Sequence, residues 1–280
     1  AQVTMGRGNY CQRPPAFPGD LGFGAQTYVG TSLDGYMGLT LSDAGGRVYQ
    51  DLTWDDAGFL GPFIYDRAGN IYTAPAPFVN LVNNPPEEQN KVYRVDAVTA
   101  KMNEWADLPP AQTPTQNNPF GVLGLFYDCD TESIYAGSVA GSTATEELGR
   151  IFRIDRETGD VTDMYENVDA LGVGVFNGAD GKRLYFGSGR DSGIRSIKLD
   201  EAGHFVGEPE VEFYLAQFDE GGNEKAQRIT FDNANQMIIK GIDFNYNLRA
   251  ASDAARALYT LAYDPDEAGW NLVSVERVTE

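Results

Sequence analysis

Residues 149–163 read GRIFRIDRETGDVTD, and this stretch decides the fold. Ile151, Phe152, Arg153 and Ile154 read as an alternating strand, with β-branched and aromatic side chains that suit a pleated, half-buried surface. Asp155–Gly159 then turns the chain. Asp can hydrogen-bond the backbone two residues on, and Gly tolerates the left-handed backbone of a tight turn. The residues up to Asp163 return as a second strand. Just upstream, Asp130–Gly137 carries a companion signature, a short turn followed by Ile134-Tyr135.

The pair of signatures recurs along the chain. A first unit spans about Asp20 to Trp54, with strands at Gln26–Thr31, Tyr36–Leu41 and Arg47–Trp54. The second, Gly58–Pro109, has Phe63-Ile64-Tyr65, the turn Asp66–Asn70, Ile71-Tyr72-Thr73, Val92–Asp96 and Lys101–Leu108. The third, Asn118–Asn167, has Gly124–Tyr127, Ser133–Ala136, Arg150–Asp155 and Asp160–Tyr165. The fourth, Val168–Gln217, has Gly172–Phe176, Arg183–Gly187, Gly193–Asp200 and Glu210–Leu215. The fifth, Glu224–Glu280, has Arg228–Phe231, Gln236–Lys240, Ala257–Asp264 and Trp270–Val278. Five meanders of four strands predict an all-β protein, a β-propeller of four-stranded antiparallel blades in which each sheet buries its faces against its neighbours. The first unit is short of an innermost strand. The N-terminal segment could supply that strand and close the ring, or contribute a degenerate sixth blade. The domain reading is an extended tail over residues 1–19, with Pro14, Pro15 and Pro18 in its later part, and one propeller domain over 20–280.

Asp66–Tyr72, Val92–Asp96, Ile151–Gly159 and Asp180–Tyr185 share a motif: an Asp/Asn turn, then Ile/Leu-Tyr, and Ile-x-Arg-Ile-Asp. The motif resembles the blades of the NHL and SMP-30/gluconolactonase-like propellers over most of residues 58–280. The resemblance implies the propeller fold. It also implies, for the catalytic members, a divalent cation held by Glu, Asn and Asp on inner strands at the central mouth. This chain departs from that pattern. Ala170-Leu171-Gly172-Val173 stands where the family tends to have Asn-Gly, Gly187-Ser188 where it has an Asp, and Gln227-Arg228 near the expected polar ligand. An Arg beside the site would repel a cation.

Composition narrows the function classes. Asp and Glu number 41 against 21 Lys and Arg, a formal net charge of −20. Such a chain repels nucleic acid and anionic membrane surfaces. No apolar run approaches the roughly 20 residues needed to span a bilayer. The chain starts at Ala1-Gln2 rather than Met, as a mature secreted protein does, and a secreted or periplasmic location is expected. The two cysteines, Cys11 and Cys129, then form one disulfide or remain as two buried thiols. No CxxC or Cys/His cluster exists for structural zinc.

Catalytic constellations are sparse. The single histidine, His204, lies in the turn Asp200–Gly207 on the face opposite the long loops, which argues against a His-dependent triad. Cys129 sits between Asp128 and Asp130, whose charges disfavour a thiolate. The Asp-rich turns Asp128–Glu132 and Asp264–Glu267 lack EF-hand spacing and read as hairpin turns. No cofactor is expected, a structural Ca2+ being the one admissible addition.

Length concentrates in the connections between second and third strands: Ala74–Asn90, Gly137–Leu148, Gly189–Ser192 and Ile242–Arg256, the last with room for a short helix at Ala250–Ala257. These connections share one face of a propeller, and long loops on a rigid scaffold carry binding. The candidate binding residues are Phe78, Asn80, Asn83, Asn84, Arg190, Asp191, Asn245, Tyr246, Asn247 and Arg249, with Arg228 as an anion contact at the mouth. The expected function is a non-catalytic binding or assembly module. Its partner is a protein or glycan ligand, or copies of itself through the N-terminal tail. A metal-dependent hydrolase of lactones or sugars is the alternative that the resemblance supplies.

Overall fold

The repeated Asp closes its hairpin through its own side chain. Asp66 Oδ1 accepts the backbone N–H of Ala68 at 2.8 Å and of Asn70 at 2.9 Å. Asp155 accepts from Glu157 and Thr158, both at 2.9 Å, and Asp232 from Ala234 and Gln236 at 2.8 and 2.9 Å. These local bonds satisfy the backbone N–H groups inside each turn.

In a computed structural model, which describes residues 7–78, 81–218, 223–248 and 256–278, the chain forms five antiparallel sheets arranged as a β-propeller. A short strand β1 (Arg7–Gly8) and a one-turn helix α1 (Phe17–Asp20) come first. Blade 1 is β2 (Thr27–Gly30), β3 (Thr40–Asp43) and β4 (Val48–Tyr49). Blade 2 is β5 (Leu60–Tyr65), β6 (Ile71–Pro75), β7 (Lys91–Val95) and β8 (Met102–Asp107). Blade 3 is β9 (Val122–Asp128), β10 (Ser133–Ser138), β11 (Arg150–Asp155) and β12 (Val161–Glu166). Blade 4 is β13 (Ala170–Gly178), β14 (Gly181–Ser188), β15 (Gly193–Leu199) and β16 (Phe205–Tyr214). Blade 5 is β17 (Lys225–Phe231), β18 (Gln236–Ile242), β19 (Ala257–Asp264) and β20 (Gly269–Arg277). Within each blade successive strands pair in chain order.

Two sequence readings are corrected. The strand expected over Tyr36–Leu41 begins only at Thr40. Gly38, at φ 84°, lies so close to Trp54 that a Cβ there would sit 2.0 Å from the Trp54 carbonyl oxygen, so the chain must turn before it can pair. The Pro-rich stretch is not wholly extended. Pro18 sits in the first turn of α1, where a missing N–H costs nothing, and Phe17 is buried. The proposed helix at Ala250–Ala257 falls largely outside the described residues, and Ala257 itself opens β19.

The first unit does lack an innermost strand, and the N-terminal segment does not provide it. β1 pairs instead with β13 of blade 4, Arg7 opposite Asn177 and Gly8 opposite Phe176. From there the segment crosses the face that carries the Asp turns. Gly8 N donates to Asn235 Oδ1 at 3.1 Å, and Asn9 Nδ2 donates to Asp128 and, at 3.2 Å, to Asp130. Cys11 is disulfide-bonded to Cys129. Arg13 N then donates to the Asp66 carbonyl at 3.1 Å and Phe17 N to the Ala97 carbonyl at 3.3 Å. The buried Lys182 ammonium lies 2.8 Å from Asp128 and 2.9 Å from Asp130, on the same anchor. Burial pushes the Asp130 carboxyl up, but hydrogen bonds from Lys182 and Asn177 and the Lys182 charge outweigh it and hold the group below its usual range.

Packing differs around the ring. Every residue of β10 and β13 is buried, so both faces of those strands are covered. Blades 4 and 5 share an aromatic cluster in which Phe176 lies 5.1 Å from Phe231 and 5.0 Å from Trp270, centroid to centroid. β18 and β19 instead alternate between buried and half-buried residues. Their half-buried face carries Ile238, Leu258 and Thr260 and points away from blade 4. Among the described residues no hydrophobic cluster joins blade 5 to blade 1.

Candidate functional site

The inner strands of blades 2–5, together with residues 29–37 of blade 1, surround a central cavity of about 950 Å³. Its floor is the N-terminal segment, through Asn9, Tyr10 and Gln12. Its walls include Phe63 and Tyr65 of β5, Leu125 and Phe126 of β9, Val173 of β13 and Ile229 of β17. Phe78, Phe120, Phe244 and Leu248, all on the long-loop side, form the rim. The volume falls within the range of small-molecule sites, roughly 300–1,000 Å³.

Two glycines bring the inner strands together. A Cβ on Gly124 would lie 2.0 Å from the Leu171 carbonyl oxygen, and one on Gly172 would lie 2.9 Å from Arg228 N. Backbones meet here with no room for side chains. The stretch Ala170–Val173, where the family resemblance led one to look for a polar ligand, is therefore occupied by strand contact.

Charge in the cavity is sparse. Among the described residues its lining holds Arg228, Lys240 and one carboxylate, Asp34, which belongs to the blade 1 loop. No lining residue on an inner strand is acidic. Among the described residues, no group of three or more His, Cys, Asp or Glu side chains gathers as a metal ion would require. The residues present do not fit the cation centre that the family resemblance implies, and no catalytic step through such a centre is derived. His204 lies on the Asp-turn face, its Nδ1 3.5 Å from Asp200.

The sequence-predicted residues divide into groups. Phe78 stands at the rim, exposed, with its ring 6.0 Å from Phe59. Asn83 is exposed on the same loop, outside the cavity lining. Asn84 is buried; its Oδ1 accepts Phe59 N and its Nδ2 donates to the Phe59 carbonyl, both at 2.9 Å, so its amide clamps the loop to the start of blade 2. Arg190 pairs with Asp169 at 2.8 Å and stacks 4.8 Å from the Tyr246 ring centroid. Tyr246 donates its hydroxyl to Asp169 at 2.6 Å. Asp191 accepts from Arg195 at 2.8 Å and from Gly193 N at 2.8 Å. Asn245 Oδ1 caps the turn by accepting Asn247 N at 2.9 Å, and Asn247 is exposed. Arg228 lines the cavity. Asn80 and Arg249 lie outside the described residues.

Sequence reasoning missed Asp169, the hub of this rim. Its Oδ1 accepts from Ser142 Oγ and, at 3.1 Å, from Gly149 N. Loops of blades 3, 4 and 5 thereby converge on one buried carboxylate. Phe244, 5.6 Å from Phe120, continues the brace as an apolar patch over the cavity mouth. No local pattern marks Asp169, because its partners come from loops far apart in sequence.

No protein-family model matches the chain, and no curated protein is similar to it in sequence. Solved structures do match. A luciferin-regenerating enzyme aligns at 11% identity, covering 98% of this chain and 78% of that one, with a TM-score of 0.58. The structure of U3-55K aligns at 9% identity over 84% of this chain and 64% of that one, with a TM-score of 0.52. A gluconolactonase from Xanthomonas campestris aligns at 20% identity over 73% of this chain and 62% of that one, with a TM-score of 0.46. At these identities the likeness is one of fold alone. The architecture is the β-propeller that the blade motif led one to expect.

Proposed function

We propose that this protein is a non-catalytic binding module that takes a drug-sized organic ligand into its central cavity from the long-loop face. The observation that carries this reading is the cavity itself: about 950 Å³, apolar and aromatic in its walls and floored by a disulfide-anchored segment. Apolar concavity with a few convergent polar groups is what small-molecule recognition requires. The lining offers no acid–base pair on the inner strands and no described metal cluster, which favours binding over the hydrolase alternative. The disulfide fits export to an oxidising compartment, and no described helix is long and apolar enough to cross a bilayer.

The test is titration of the full chain with phenylnaphthylamine, a neutral fluorophore that brightens in apolar sites. Saturation at one probe per chain is expected, with loss of binding in Thr230→Trp, which fills the cavity from β17. Absence of saturable binding, or undiminished binding in Thr230→Trp, overturns the reading.

A further inference from the structure

The chain has a formal net charge of −20, yet among the described residues the cavity lining carries Arg228 and Lys240 beside a single carboxylate, Asp34. Arg228 and Lys240 are direct register partners on β17 and β18, so both side chains leave the same face of blade 5, toward the cavity.

Other arginines of the chain sit against acids: Arg156 against Asp66 and Glu132, Arg183 against Asp180 and Glu210, Arg195 against Asp191. Arg228 does not. Among the described residues it makes no ion pair, and its guanidinium carbon stands 5.7 Å from the Phe63 ring centroid. The surrounding protein lowers its pKa by desolvation, and the nearby Tyr65 phenol opposes that shift. Arg228 is exposed on β17, so its guanidinium stands open to whatever enters the cavity.

Resting on the binding reading above, we propose that the ligand is an amphiphilic organic monoanion. Its aromatic or acyl body fills the apolar cavity, and its planar carboxylate or sulfonate group docks on Arg228. A guanidinium fork matches such an oxyanion with two parallel N–H···O bonds. The long-range field of the acidic surface disfavours polyanions, whereas a single charge on a large apolar body loses little to that field and gains the cavity.

The experiment compares two probes with the same aromatic body, phenylnaphthylamine and its sulfonated counterpart anilinonaphthalene sulfonate, on the full chain. The sulfonate is expected to bind roughly tenfold or more tightly than the neutral probe, the worth of a charge-assisted contact. Arg228→Met is expected to remove that preference while retaining the neutral probe, which also shows that the cavity is intact; Arg228→Lys is expected to keep part of it. Equal affinity for the two probes in the parent chain overturns the anion assignment and leaves the binding reading standing. A preference that survives Arg228→Met but is lost in Lys240→Met overturns the role of Arg228. Failure of both probes to bind overturns both readings.

Discussion

Asp169 shows how a loop-face carboxylate becomes structural. It has no exposed surface, pairs with Arg190, and accepts from Ser142, Gly149 N and Tyr246. Burial, followed by the hydrogen bond and charge of Asp169, raises the Tyr246 phenol pKa well above its ordinary value. Asp169→Asn keeps the shape and removes the charge. We expect a loss of about 2–3 kcal/mol in urea unfolding, discounted because Arg190 is partly exposed. Alkaline absorbance titration should also show Tyr246 ionising at lower pH than in the parent. Unchanged stability with an unchanged phenol titration would mean that Asp169 does not hold the rim. Sequence reading picked out Arg190 and Tyr246 because loops gather binding chemistry. It could not show that the two face each other across blades, since the contact spans loops with no shared pattern.

At the scale of elements, the N-terminal segment has two roles: it floors the cavity and ties blades together. Between Gly8 and Phe17 it bonds to turns of blades 5, 3 and 2 in that order. The disulfide joins residues 118 apart in sequence, and closing so long a loop restricts the unfolded chain by about 4–5 kcal/mol in the entropic account. Replacing both cysteines by serine should lower the unfolding free energy by about that amount, read by urea denaturation with matched m-values. A loss under about 1 kcal/mol would show that hydrogen bonds and the Lys182 cluster suffice to hold the segment. The cysteine pairing was open to sequence reading because the chain has two cysteines and no metal spacing to claim them. The route across the Asp-turn face was not, because each anchor on that route is a turn backbone or a turn side chain of another blade.

For the whole molecule the decisive feature is unequal packing around the ring. β13 and β14 of blade 4 are covered on both faces, whereas β18 and β19 of blade 5 bury one face and half-expose the other. Local opening follows buried contact. We expect amides of β18 and β19 to exchange with deuterium at least tenfold faster than those of β14 and β15, the equivalent strands of blade 4. Equal protection would show that the outer face of blade 5 is covered in solution.

The all-β class, the repeat and the hairpin turns are legible in the residues alone. Those are local: a strand is written in residue type and alternation, and each Asp closes its turn with its own neighbours. The residues also show that blade 1 lacks an inner strand, because a missing hydrophobic run is visible without any partner. Tertiary structure alone decided what the inner strands enclose. Gly124 and Gly172 are ordinary strand glycines until neighbouring backbones are seen to meet at them. Arg228 is one more strand cation until the ring places it in an apolar cavity of an acidic protein. Cavity, floor and rim arise between blades, and contacts between blades depend on how sheets pack, which no single repeat encodes.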